Sequence, residues 1–188
     1  NNKVNLSEEE ATLMYVGILV DTNRFKTRTG SRTFEAAAYL KNLGVDPITA
    51  ENLLKEDFDD FEAKTEIMKY AGQYADGILI AAVDNNRVIN RTLMSQVADS
   101  LLNIKDMEAS FVIGNIENGK VAVSARSKGK INVQIIMENM HGGGHFTMAA
   151  LQREQTTVKA VQEELKQMID TYLEENKEDD EDESDTAK

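Results

Sequence analysis

The sequence predicts an α+β fold, in which a mainly helical segment precedes a domain built on a mixed sheet. Three observations support this fold class. Apolar residues follow helical spacing up to about residue 76. Beyond it, short branched runs bounded by turn residues alternate with amphipathic segments, as expected for strands packed against helices. The pair Asn118-Gly119 stands between two apolar runs and supplies the positive φ angles of a tight β-hairpin.

Residues 7–20 predict a buried helix. Ser7 and Glu10 have the spacing of a capping box, and acidic residues fill the first turn, where the helix dipole is positive. The run that follows is apolar almost all round, which indicates burial. A strand is the competing interpretation for residues 15–20.

Further helices are expected in the first half of the chain. One covers residues 31–44 and ends at Gly44, and the next begins with Asp46 as N-cap and Pro47 at the first helical position. The helical pattern then continues over residues 59–77. Its apolar stripe is expected to contain Phe61, Ile67, Met68, Ala71 and Tyr74.

Strands and helices alternate in the second half. Apart from the hairpin, the expected elements are a strand at 77–84, helices at 91–104 and 131–140, a strand at 148–154 and a terminal helix at 156–175. The inner face of the terminal helix is expected to contain Val158, Val161, Leu165, Met168, Ile169 and Tyr172. These patterns place one domain at residues 1–76 and a second at residues 77–173.

The net charge of −12 is concentrated at the end of the chain. Residues 174–188 contain nine acids and two lysines, a net of −7, and predict a disordered acidic tail. An acidic protein is a poor match for a long nucleic acid, whose binding depends on clustered Lys and Arg. The chain has no cysteine and no apolar run of the roughly 20 residues that span a membrane, so we expect neither disulfides nor membrane contact.

Three consecutive glycines stand between the only two histidines of the chain, His141 and His145. Bare backbone at Gly142, Gly143 and Gly144 lets a ligand approach closely and lets N–H groups converge on an anion. His145 can add a hydrogen bond to a phosphate oxygen. A flexible turn with two exposed histidines is the alternative, and the two interpretations stay equally open on these residues alone.

Ser124 and Arg126 lie two residues apart on the strand after the hairpin, so their side chains project from the same face. The planar guanidinium of Arg126 suits a phosphate group. An ordinary solvated basic edge is the alternative, and it is favoured when these residues are considered alone. Only a short helix and its turns separate Arg126 from Gly142, which allows both to border one pocket.

Asp21 ends the first apolar helix and is followed by Thr22 and Asn23. Oxygen ligands of this kind suit a hard metal ion. A turn aspartate without any ligand is the alternative, because a single carboxylate cannot hold a catalytic metal. The sequence contains no complete metal site, no P-loop and no serine triad.

Three stretches together resemble the DHH and DHH-associated phosphoesterase family: residues 17–44, residues 95–127 and residues 140–150. The likeness covers nearly everything from residue 7 to residue 173. It implies that the first domain is the helical C-terminal remnant of a DHH catalytic domain. The second would be a mixed-sheet α+β DHH-associated domain that binds substrate.

The resemblance also implies roles for individual residues. It implies two Mn²⁺ ions as cofactors, with Asp21 as a metal ligand and catalytic residue. The other ligands lie upstream in the family and do not occur here, so this chain alone is expected to be inactive. The positions that match the family's substrate-binding loop and strand are Gly142, Gly143, Gly144, His145, Ser124 and Arg126.

The activity implied by the resemblance is hydrolysis of cyclic di-AMP to linear pApA by the intact protein. The alternatives are an oligoribonuclease or RecJ-like exonuclease of the same family, and a non-catalytic nucleotide-binding module. A cyclic dinucleotide is the expected partner, and formation of a homodimer is left open. Full-length family members carry membrane helices upstream, which implies a cytoplasmic domain anchored to the cell membrane.

Overall fold

The computed structural model describes residues 5–186, except for the side chains of Asn86 and of residues 177–186. The chain forms two compact units, and the break between them follows Phe58. The first unit is helical, and the second combines helices with one six-stranded sheet. The α+β fold class predicted from the sequence is confirmed.

The break between the units lies earlier than the domain boundary that the sequence predicts at residue 76. The break falls at the first residue of helix α4 (Phe58–Met68). It buries Ile67 in a core cluster of the second unit, together with residues of the sheet. Helix α4 therefore packs with the second unit, although it precedes the predicted boundary.

The first unit contains α1 (Glu8–Asp21), α2 (Ser31–Asn42) and α3 (Pro47–Asn52). Residues 15–20 are therefore helical and do not form a strand. The predicted capping box is confirmed, because the Glu10 amide donates to Ser7 Oγ at 3.2 Å and the Ser7 amide donates to the Glu10 carboxylate at 2.8 Å.

The apolar surface of α1 is only partly buried. The core of the first unit is formed by Ala11, Leu40 and Val45, with a few partly buried neighbours. In contrast, Leu13 and Val20 of α1 are both 64% exposed. The prediction of a buried helix is thus wrong for these residues, which are exposed although α2 and α3 contact α1.

The second unit contains the sheet. After α4 its elements are β1 (Ala71–Ala75), β2 (Ile78–Val88), α5 (Arg91–Leu101), β3 (Ala109–Ile116), β4 (Lys120–Ser127), α6 (Val133–Asn139), β5 (Gly143–His145), β6 (Met148–Arg153) and α7 (Val158–Thr186). The strand order is β1-β2-β3-β4-β6-β5. Strands β2 and β3 run parallel, and all other neighbours run antiparallel.

Residues 71–75 form strand β1 instead of continuing the preceding helix, so this part of the predicted helical stripe is wrong. Gly77 adopts a φ of 70° and turns the chain back on itself. Strand β1 then pairs antiparallel with β2, with Ala71 opposite Ala81. Hairpin pairing with a buried strand therefore overrides the helical spacing of Ala71 and Tyr74.

Helix α7 continues through residues 174–186, for which the sequence predicts a disordered tail. Glutamate, which is frequent in this segment, has a high helix propensity. Residues 187 and 188 lie outside the described residues. No helix formed by the described residues, α7 included, has an apolar stretch long enough to span a membrane. On the predicted inner face of α7, Met168 is only partly buried, whereas five residues are buried: Val158, Val161, Leu165, Ile169 and Tyr172.

Two apolar layers cover the two faces of the sheet. On one face, strand residues such as Phe111 and Val123 pack against α6 and α7. On the other face, Val112 and Ala122 pack against α5 and the end of α4. Helix α5 lies over β3 and β4. On the same face, Ala150 of the neighbouring strand β6 is exposed. The uncovered part of the sheet beside α5 is where the candidate site lies.

The β3–β4 hairpin predicted from Asn118-Gly119 is confirmed, and Asn118 has a φ of 62° at its tip. We expect Asn118→Ala to lower the free energy of unfolding by about 1–2 kcal/mol, because an alanine side chain strains a left-handed backbone. Asn118→Gly should stay within about 0.5 kcal/mol of the parent. Urea unfolding measures both, and equal losses in the two variants would contradict the hairpin geometry.

Candidate functional site

An open hollow of about 280 Å³ lies where α5 ceases to cover the sheet. Strands β4 and β6 form its floor with Ser124 and Ala150, which lie opposite each other. Arg91 and Ser95 of α5 line one wall, and the backbone around Gly143 lines the other. The structure therefore brings Ser124 together with Gly142 and Gly143, although they are separated in sequence.

Ser124 and Arg126 belong to a set of hydrogen bonds that joins β4 to α5. Ser124 Oγ lies 3.2 Å from Ser95 Oγ. Arg126 Nε donates to Asp99 Oδ1 at 3.0 Å, and Nη1 donates to the Ala125 carbonyl oxygen at 3.0 Å. Partial burial of Asp99 raises the pKa of its carboxyl, and the neighbouring guanidinium opposes that shift.

The guanidinium of Arg126 keeps donors that its protein partners do not use. Its side chain is only 16% exposed, and its Nη2 atom has no hydrogen-bond partner among the described residues. A guanidinium offers five N–H donors in a fixed plane. Arg126 does not line the hollow itself, but its Nη1 lies 3.5 Å from Ser124 Oγ, so its unused donors lie at the edge of the hollow.

The three glycines differ in their surroundings. A Cβ atom at Gly142 would lie 2.5 Å from the Ala150 carbonyl oxygen, and one at Gly144 would lie 2.4 Å from Ala149 Cα. Strand β6 thus leaves no room for a side chain at Gly142 or Gly144. A Cβ atom at Gly143 would meet no heavy atom within 4 Å, so this is the part of the segment that faces open space.

Part of the predicted glycine loop is a short strand, β5, which pairs with β6. Two amides before it are already used, because the N–H of His141 donates to the Glu138 carbonyl and that of Gly142 donates to the Met137 carbonyl. These bonds close the C-terminal end of α6, where the helix dipole is negative. The expectation that the amide of Gly142 is free to bind an anion is therefore wrong.

His145 lies beside the hollow and does not line it. It is opposite Met148, and Met148 is opposite Arg126, so the three residues form one row across β5, β6 and β4. Neighbouring strands are about 4.8 Å apart, which places the Cα atoms of His145 and Arg126 roughly 10 Å apart. The histidine that lines the hollow is His141.

Sequence reasoning missed Arg91, Ser95 and His141 as residues of the site. Arg91 carried a signal, because a basic residue at the first position of a helix opposes the positive end of the helix dipole. Its side chain is exposed and takes part in none of the ion pairs formed by the described residues. For Ser95 and His141 no local pattern indicates the role.

Arg153 fixes the backbone just before the glycine segment. Its Nη2 donates to the Met140 carbonyl at 2.7 Å, and its guanidinium pairs with the Glu164 carboxylate of α7. We expect Arg153→Met to lower the free energy of unfolding by about 1–2 kcal/mol, because both acceptors lose a donor at a half-buried position. Thermal and urea unfolding measure the loss.

The matched control for Arg153 is Lys69→Met, which breaks an exposed pair with Glu66. Exposed pairs contribute little, so this variant should stay within about 0.5 kcal/mol of the parent. Equal losses in the two variants would show that Arg153 does not anchor the segment.

Asp21 lies in the first unit, at the end of α1, with its side chain 70% exposed. Its nearest charged partner is Arg28, whose Nη1 is 3.6 Å from Asp21 Oδ1, and Arg32 lines the same shallow depression. The described residues contain no group of three or more His, Cys, Asp or Glu side chains that could hold a metal ion. The surroundings of Asp21 therefore do not by themselves fit a Mn²⁺ site.

The fold and the hollow agree with the result of a comparison with protein families. The model of the DHHA1 domain matches residues 75–175, which is more than half of the chain. The chain therefore belongs to the DHHA1 domain family, and the resemblance seen in the sequence is confirmed.

Two relatives are similar to most of this chain. The chain is 43% identical over 172 residues to the cyclic-di-AMP phosphodiesterase GdpP of Geobacillus thermodenitrificans, which covers 92% of this chain and 26% of that protein. It is 41% identical over 163 residues to the cyclic-di-AMP phosphodiesterase PdeA of Listeria monocytogenes, covering 87% of this chain and 25% of that protein. The chain thus spans about a quarter of the length of these relatives.

A solved structure supports the fold. An exopolyphosphatase-related protein from Bacteroides fragilis matches with a TM-score of 0.72 at 17% sequence identity. The match covers 90% of this chain and 51% of that protein. At this identity the likeness establishes a shared fold and carries no information on substrate.

Proposed function

We propose that the chain is the substrate-binding part of a metal-dependent phosphodiesterase that hydrolyses cyclic di-AMP to linear pApA. The hollow beside α5 holds a phosphate group and its nucleoside. The observation that carries the proposal is the meeting of the Ser124 hydroxyl, the open backbone of Gly143 and the Arg91 guanidinium in one hollow. The named activity of the relatives at 43% and 41% identity supports this substrate.

The residues of the hollow bind and orient the substrate in this proposal. Ser124 and Gly143 contact one phosphate, and the free donors of Arg126 offset its charge from the edge of the hollow. His145 adds a hydrogen bond from the same row of the sheet. Hydrolysis adds water across one phosphodiester, so that the bond from phosphorus to the 3′ oxygen breaks and a 5′-phosphate and a 3′-hydroxyl remain.

The proposal assigns the metal to the longer protein. Asp21 is one carboxylate ligand of a Mn²⁺ site that residues outside this chain complete. One carboxylate does not hold a metal ion on its own. The 188-residue chain alone is therefore expected to show no Mn²⁺-dependent hydrolysis of cyclic di-AMP.

Asp21→Asn, made in the longer protein that contains this chain, should reduce turnover of cyclic di-AMP at least tenfold. Binding of cyclic di-AMP to the 188-residue chain should not change, because Asp21 does not line the hollow. Asp106→Asn, at another exposed aspartate, is the matched control and should leave both unchanged. Full turnover in the Asp21 variant would mean that Asp21 is structural and would favour the alternative in which this chain is only a nucleotide-binding module of the longer protein.

A competition experiment tests the substrate class. The 188-residue chain is titrated with cyclic di-AMP in a calorimeter, alone and in the presence of short RNA or single-stranded DNA. We expect cyclic di-AMP to bind and an excess of either oligonucleotide to displace it poorly. Equal or tighter binding of short RNA, lost in a Gly143→Ala variant, would instead support an oligoribonuclease.

A further inference from the structure

A second hollow adjoins the first. It has a volume of about 490 Å³ and lies between the start of α5 and the turn of the β3–β4 hairpin. Its lining includes Asn90, Thr92 and Asn118. Arg91 and Gln152 line both hollows, so they mark the divide between them.

The volumes favour joint use of the two hollows by a large ligand. Ligand pockets in proteins typically measure about 300–1,000 Å³. The first hollow, at about 280 Å³, lies at the lower limit and has room for a ligand no larger than a single nucleotide. Adding the second hollow, at about 490 Å³, brings the site well within the range and makes room for a dinucleotide.

The lining of the second hollow suits a nucleoside better than a phosphate. Apart from Arg91 at the divide, its cation is Lys120, which is already paired with Glu154 at 2.7 Å, and Glu117 adds a negative charge to the lining. The remaining groups are mainly amides and hydroxyls. Amide side chains such as those of Asn118 and Gln152 can pair with the edge of a purine base.

The divide between the hollows suits a phosphate. Arg91 carries a positive charge that no carboxylate of the described residues neutralises within 4 Å, and it faces both hollows. In a dinucleotide, the phosphodiester lies between the two nucleosides. Cyclic di-AMP contains two such phosphodiesters, and the one nearer the divide would meet an unpaired guanidinium.

On these grounds we infer that the second hollow binds the second nucleoside of a dinucleotide, while Arg91 holds the phosphate that joins it to the first. The inference rests on the proposed function, and it makes the site selective for dinucleotides over mononucleotides. Thr92, an exposed residue in the first turn of α5, becomes a specificity-determining residue.

The test is to fill the second hollow without touching the first. In calorimetric titrations of the 188-residue chain, Thr92→Tyr should weaken binding of cyclic di-AMP at least tenfold and leave binding of 5′-AMP within twofold. The matched control is Gln96→Tyr, at an exposed position of α5 that lines neither hollow, and it should change neither affinity. Asn118→Gly keeps the left-handed turn and removes an amide, so it should weaken cyclic di-AMP binding in the same selective way, by about threefold.

The outcomes separate the two proposals. If Thr92→Tyr and Asn118→Gly both bind cyclic di-AMP as the parent does, while Gly143→Ala binds it poorly, the second subsite is overturned and the proposed function stands. If the parent chain binds neither cyclic di-AMP nor 5′-AMP, the proposed function fails and the inference fails with it. Equal weakening of 5′-AMP and cyclic di-AMP by Thr92→Tyr would also overturn the inference, because the second hollow would not be selective.

Discussion

Gly142→Ala is expected to lower the free energy of unfolding of the second unit by about 3 kcal/mol in urea. The added Cβ would lie 2.5 Å from the Ala150 carbonyl oxygen, 2.7 Å from Leu151 Cβ and 3.0 Å from the Met137 carbonyl oxygen. Two of these obstacles are backbone atoms, so only a shift of β6 or α6 relieves the clash. Overpacking usually costs about 1–3 kcal/mol, and a backbone obstacle places the loss at the upper end.

Gly143→Ala is the matched control, because it adds the same methyl group one residue further along. No heavy atom lies within 4 Å of the new Cβ, so stability should change by less than about 0.5 kcal/mol. The methyl group would enter the hollow, and cyclic di-AMP affinity should fall at least tenfold. Loss of stability in Gly143→Ala, with a stable Gly142→Ala, would contradict the geometry of this segment.

Arg126→Gln is expected to weaken cyclic di-AMP binding by about 10–100-fold in calorimetric titrations of the 188-residue chain. Hydrogen bonds to a charged group contribute about 1.5–3 kcal/mol, which corresponds to roughly this range of affinity. The unused donors of the guanidinium, on a side chain only 16% exposed, are the reason for the size of the effect. Asp99 loses its partner in this variant but stays 59% exposed, so the fold should be retained.

The control for Arg126 must remove one positive charge that has no contact beyond an exposed ion pair, such as that of Lys105 with Asp106 at 3.9 Å. Lys105→Gln does so at a side chain that is 92% exposed, and it should change affinity by less than about twofold at physiological salt, where distant charges are screened. Arg126→Lys keeps the charge but not the planar fork, so an intermediate affinity is expected. Equal weakening by Arg126→Gln and Lys105→Gln would mean that Arg126 acts only through the net charge of the protein.

The parts of the fold that the sequence predicts correctly depend on local chemistry. The hairpin at Asn118 follows from a residue that tolerates a left-handed backbone, and the start of α1 follows from the reciprocal bonds of Ser7 and Glu10. The inner face of α7 follows from helical spacing. In each case the interacting residues are a few positions apart, so the sequence contains the whole interaction.

The parts that differ depend on contacts between distant residues. Residues 71–75 fit a helical stripe, yet their pairing with β2 makes them a strand. The sequence suggests that the N–H of Gly142 is available to a ligand, but this group donates to the Met137 carbonyl at the end of α6. Arg91 and Ser124 meet only because α5 lies over β4, which no local pattern reveals.

Several residues of the candidate site could be predicted from the sequence, but their positions relative to one another only in part. The family resemblance indicated Ser124, Arg126 and residues 142–145. The antiparallel pairing of β4, β6 and β5 is what brings these positions onto neighbouring strands. The histidine expected at the hollow was His145, but His145 lies at its edge and His141 lines it.

The most direct test of the account is an NMR titration of the 188-residue chain with cyclic di-AMP, in which the backbone amide shifts report the binding surface. The account predicts that the largest changes occur at Ser95, Ser124 and Gly143, and that they are absent from the Gly143→Ala variant. A titration to saturation that leaves these amides unchanged and moves those of another surface would contradict the assignment of the hollow beside α5 as the nucleotide site.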